Sequence, residues 1–167
     1  MTALRRILET ALGLFSVFLI VALTVLVIVA VVARELGAAF SWYDEVATVM
    51  LAWITYYGSA YAALKRGHLG SPEAMMALPA RYRLPLFLLA EALVVVFFAV
   101  LAWVGWQVVV LLEGDRLVSL TWVPVQFTQS VIPVGAALFI LCQLLTVRDE
   151  WRALAHKDVA AAIKESI

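Results

Sequence analysis

Four long apolar stretches account for most of this chain, and the Lys and Arg residues between them crowd onto alternate connections. An α-helix needs about 20 apolar residues to cross roughly 30 Å of hydrocarbon. Residues 11–33 carry no charge, residues 46–64 are charge-free and aromatic, and residues 92–112 are charge-free after an isolated Glu91. Residues 117–147 are charge-free but interrupted by Pro124 and Pro133. With 65% hydrophobic and 14% charged residues, the composition is that of an integral membrane protein. The expected fold is an all-α integral membrane protein with four transmembrane helices, over about 11–33, 43–64, 86–112 and 122–147 of a single membrane domain 1–167.

Cations set the expected orientation. Ten of the twelve Lys and Arg lie before the first stretch, between the second and third, or after the fourth, leaving only Arg34 and Arg116 on the other side. Lys and Arg are retained in the cytoplasm, so both termini and the middle connection are expected inside. The outer connections are acidic, with Glu35, Asp44 and Glu45 in one and Glu113 and Asp115 in the other. A secretory h-region is about 7–15 residues. The first stretch is longer, and is read as a retained signal-anchor helix.

Local signals refine the connections. Ser41 followed by Asp44 resembles a capping box opening the second helix, and Asp44 and Glu45 complement its dipole. Ser71-Pro72-Glu73 reads as the start of a short interfacial helix over about 72–78. Pro85 is expected to open the third span. Apolar residues from Trp151 to Ile163 keep helical spacing, which predicts a tail helix on the inner membrane surface over about 149–164.

Few residues offer chemistry. The lone Cys142 excludes an intrachain disulfide and a Cys-based metal cluster. His68 and His156 fall in inner connections, whereas a haem between helices needs ligands inside the spans. No catalytic motif is present, no cofactor is expected, and zero formal net charge argues against a nucleic-acid partner. Glu91 has two readings: a proton or cation path, or a carboxylate near the inner interface that water or Lys65 can reach.

Packing features are denser. Trp53, Tyr56, Tyr57 and Tyr61 form an aromatic stripe on the second helix, beside Gly58-x-x-x-Ala62 and Ser59-x-x-x-Ala63. Small residues four apart let helices approach closely, within this chain or against another protein. On the fourth helix, Gln126, Gln129 or Ser130, and Pro133 share a face that must meet protein or water.

The run from Trp42 to Leu69 has Trp-x-x-Glu at a helix start, Trp53, Gly58-Ser59-Ala60, a basic pair and His68-Leu69. With Leu78-Pro79, Pro124 and Ile132-Pro133-x-Gly135, it resembles the DctQ-like small membrane subunit of tripartite ATP-independent periplasmic (TRAP) transporters. Thr48 and Val49 stand where that family usually has a basic residue. The resemblance implies a bacterial inner-membrane subunit that works with a large membrane subunit and a periplasmic substrate-binding protein. In such systems the large subunit moves an organic acid by an elevator motion coupled to sodium, and the sodium sites are not on the small chain. The small subunit braces the static scaffold. Trp42, Glu45, Trp53, Tyr57, Gly58, Lys65, His68, Gln126, Gln129 and Pro133 are then candidates for sealing the bundle or its large partner. Glu35, Asp44, Glu45, Glu113 and Asp115 are candidates for touching the binding protein. Inner cations would meet anionic lipid. The competing readings are a self-contained homo-oligomeric transporter or channel using Glu91, and a small membrane enzyme or electron-transfer anchor.

Overall fold

The computed structural model describes residues 3–65 and 80–147, and among these it is helical with no strand. The expected helices over 72–78 and 149–164, and His68, lie outside the described residues. Helix α1 spans Ala3–Glu35, longer at both ends than its charge-free stretch. It ends in a Schellman arrangement: Gly37 takes φ +78°, Gly37 N–H donates to the Arg34 carbonyl at 3.0 Å, and Ala38 N–H to Ala33 at 2.8 Å. A side chain at Gly37 would be strained there, so glycine is the residue that lets the chain reverse.

Helix α2 spans Tyr43–Leu64 with Asp44 and Glu45 in its first turn. The capping box expected at Ser41 does not form. Trp42 occupies the N-cap position without a side-chain cap bond, and the Ser41 carbonyl instead accepts from Ser119 Oγ at 3.3 Å. Ser41 sits one residue too early to cap.

Helix α3 spans Ala80–Leu111 and contains Pro85, which therefore does not open the helix. A proline this close to the start removes one backbone bond near the end of the helix, where the loss is tolerated better than mid-helix. The apolar span itself begins at Pro85. After α3 a turn through Gly114 (φ +93°) leads to a loop closed by an antiparallel bridge between Arg116 and Pro124.

The last helical segment starts at Val125, not near 122: α4 spans Val125–Gln129, and α5 follows Ser130 over 131–147. Pro133 has no N–H for the Gln129 carbonyl, which is where α4 ends. Among the described residues, three segments are long and apolar enough to cross a membrane: Leu4–Glu35, Pro85–Leu111 and Val125–Val147. Helix α2 has comparable length, but its tyrosines, threonines, glycine and serine make it less apolar.

Contacts run in the order α1–α2–α5–α3. Tyr61 of α2 lies against Gly13 of α1, and Tyr56 lies so close to Gly135 of α5 that a Cβ there would sit 2.6 Å from the Tyr56 Cβ. A Cβ on Gly105 of α3 would meet Ile132 Cγ2 at the same 2.6 Å. The core joins Leu12, Ala60, Ala63, Leu64, Phe139 and Cys142, with Val94 and Phe98 of α3 packed on it. Phe98 and Phe139 stack with centroids 3.6 Å apart. Small residues admit the close approaches, and aromatic rings fill the space beside them.

Candidate functional site

At one end of the bundle, the first turn of α2 holds two connections. Glu45 accepts from the Val118 and Ser119 amides, each at 2.9 Å, one on each carboxylate oxygen. Beside it, the Arg34 guanidinium donates to the Tyr43 hydroxyl at 2.8 Å and lies 5.5 Å from that ring's centre, joining the ends of α1 and α2. Arg116 donates to the Thr121 carbonyl at 3.2 Å, stiffening the loop that Glu45 grips. Trp42 packs on Phe40 with centroids 5.4 Å apart. Glu35, Asp44, Glu113 and Asp115 are exposed.

One level deeper, Trp53 Nε1–H donates to the Thr128 carbonyl at 3.1 Å and its ring meets Phe127 at 5.3 Å. Tyr57 continues the same stripe, meeting Phe15 edge-on at 4.8 Å. Gln126 donates from Nε2 to the Val109 carbonyl of α3 at 3.1 Å, Pro133 lines the close approach to Gly105, and Gln129 is half-buried. Trp53 thus satisfies a carbonyl beside the α4–α5 break, and Gln126 one near the end of α3. Gly58 is different, because a Cβ added there would meet nothing within 4 Å. Among the described residues it is not a close-approach point.

Glu91 and Lys65 each have another partner. Glu91 is buried, 8% exposed, and both its oxygens accept from Gln143 Nε2 of α5, at 2.9 and 2.8 Å. Lys65 forms an ion pair with Glu9 of α1, whose carboxylate holds the lysine pKa above its ordinary value. At the same end of the bundle the buried Arg5 donates to the Leu64 carbonyl at 3.1 Å, so it caps the C-terminus of α2.

The structure thus brings Trp53, Tyr57, Gln126 and Pro133 to neighbouring levels, and leaves Glu45 at one end and Lys65 at the other. Gln143, Arg5, Glu9, Tyr43 and Ser119 were not signalled as partners by the sequence reading. Gln143 had a usable signal, being an amide inside an otherwise apolar run, and Arg5 and Glu9 stand one helical turn apart. Among the described residues, no three His, Cys, Asp or Glu side chains converge as a metal site would require.

What these groups do is tie helix to helix, and the sequence around them carries a family signature. Residues 23–153 match the family described as Tripartite ATP-independent periplasmic transporters, DctQ component. The chain belongs to the DctQ family. No curated protein matches it individually. As a DctQ protein it is the small membrane component of a TRAP transporter, in a family of transporter components and not of enzymes. Family and apolar helices together make it a bacterial inner-membrane protein. In this DctQ chain the family-like residues Trp42, Glu45 and Trp53 lie at the N-cap of α2 or on it, the helix that touches both α1 and the α4–α5 segment.

Proposed function

We propose that this chain is a passive brace: a four-span subunit, with both termini cytoplasmic, that widens the static scaffold of a large elevator-type membrane subunit. Helix α2 is the fourth span in this reading. Its outer end is tied to Arg34 and its inner end to Arg5 and Glu9, so it runs antiparallel along nearly the whole of α1. A helix level with a spanning neighbour at both ends crosses the same slab. The placement of cations puts the outer rim in the periplasm.

One observation carries the bracing role. The polar side chains inside the bundle reach across to neighbouring helices, while the outward faces of α1 and α3 remain apolar and exposed. Such a body has surfaces to lean on and interior ties to keep its shape. The partners are the large membrane subunit and the periplasmic binding protein, the cargo is an organic acid, and sodium coupling belongs to the large subunit.

The test is pull-down of the tagged chain in mild detergent, followed by reconstitution. A many-span partner should co-purify, and uptake should require that partner and the binding protein. Solute or proton flux through the purified chain alone, abolished by Glu91→Gln, would instead establish the self-contained transporter.

A further inference from the structure

Two broad apolar faces are left uncovered, and they are chemically unlike. Along the middle of α1 the outward residues include Val17, Phe18, Val21, Val25 and Ile28, and the one hydroxyl among them, Thr24, donates to the Ile20 carbonyl at 2.8 Å. Nothing on that stretch asks for a partner. The outward face of α3 carries Trp103 and Trp106, 67% and 61% exposed, beside the exposed Gln107. Neither the two indole N–H groups nor the Gln107 amide makes a hydrogen bond among the described residues.

Depth makes this costly in lipid. Gly105 is level with Ile132 and Pro133, well inside the Val125–Val147 span. At 1.5 Å per residue, Trp103 then lies roughly 14 Å below the start of that span and Gln107 roughly 8 Å below it. Interfacial tryptophans sit at the headgroup level, and an amide without a partner in hydrocarbon is strongly disfavoured. Trp is also, with Tyr and Arg, enriched among the side chains that anchor protein interfaces.

The geometry points to the α3 face around Trp103, Trp106 and Gln107 as the surface covered by a transmembrane helix of the large subunit, with the outward face of α1 turned to lipid. The occupant's helix offers a hydrogen-bonding group level with Gln107 and small residues beneath the two indoles. This inference rests on the bracing role and adds which side does the bracing.

The test uses the full chain co-expressed with its large subunit. A photo-activated cross-linker at position 103 should join the large subunit, and the same group at position 21 should react with lipid. Gln107→Leu and Ala99→Trp should each lower recovery of the large subunit about tenfold, while Val21→Trp leaves it unchanged. Cross-links from position 21 and not 103, a self-dimer formed at 103, or equal recovery for all variants would overturn the inference. Cross-linking needs no destabilising change, so poor folding of a variant would not obscure the answer. If the unaltered chain brings down no large subunit at all, it is the bracing role that falls.

Discussion

The middle of this bundle and its flanks are built on opposite terms. Of the most apolar window in the Val125–Val147 span, 39% is buried, against 11% in each of the corresponding windows of α1 and α3. Yet α1 and α3 are the greasier helices, whereas α2 and the α4–α5 segment hold most of the amides and hydroxyls, and the helix break. In water the most apolar helix would go inside. In lipid there is no such drive, and position is decided by groups that the bilayer cannot satisfy. Close approach and polar satisfaction therefore select the centre, and hydrophobicity selects the flanks.

The sharpest way to break this contrast is to widen the centre. Gly135→Val should destabilise the protein by roughly 1–3 kcal/mol or more, because the new Cβ meets backbone-anchored Tyr56 Cβ and cannot be dodged. Thermal melting in detergent would show it. Gly58→Ala, open on its own side, should be neutral or raise stability by up to about 1 kcal/mol. An equal loss at both glycines would show that α2 approaches something on both faces.

Next in size is the buried α3–α5 pair. Gln143→Leu should cost about 1–3 kcal/mol by leaving the Glu91 carboxyl without its amide, and Glu91→Leu should cost a similar amount. The double variant should lose clearly less than the two singles added together, as coupled partners do. Strict additivity would mean the pair does not interact in the membrane. Trp53→Phe keeps the ring and removes one donor, so a loss of about 0.5–1.5 kcal/mol is expected in the same melts.

Smaller still, and local, is the effect at the rim. Glu45→Ala should speed hydrogen exchange at the Val118 and Ser119 amides while exchange in the α2–α5 contact stays unchanged. On the flank, Val25→Leu faces outward from α1 and should shift the melting free energy by no more than about 0.5 kcal/mol.

Much of this was legible from the residues. Charge-free runs place α1, α3 and α5, and Trp53, Tyr57 and Gln126 are singled out by being aromatic or polar where a span should be aliphatic. The inward face of α3 was also written in the chain, though faintly. Glu91, Phe98 and Gly105 recur every seven residues in a span otherwise apolar save for Gln107, and all three turn inward. What stayed hidden was pairing across long separations. Glu45 meets Ser119 across 74 residues, Glu91 meets Gln143 across 52, and no local pattern encodes either. Arg5 shows a different limit. Before an apolar run it reads as a charge that sets orientation, and only the position of α2 reveals that it also closes a helix end.

Glu45 also changes the character of its own end of the bundle. By gripping the loop before α4 from the first turn of α2, next to the Arg34–Tyr43 tie, it makes a single plate out of segments that would otherwise wave separately. A protein alighting there would have little slack to remove, and so little entropy to surrender on landing. Removing that one carboxylate would leave every other charge on the plate in place and still make it a softer landing ground.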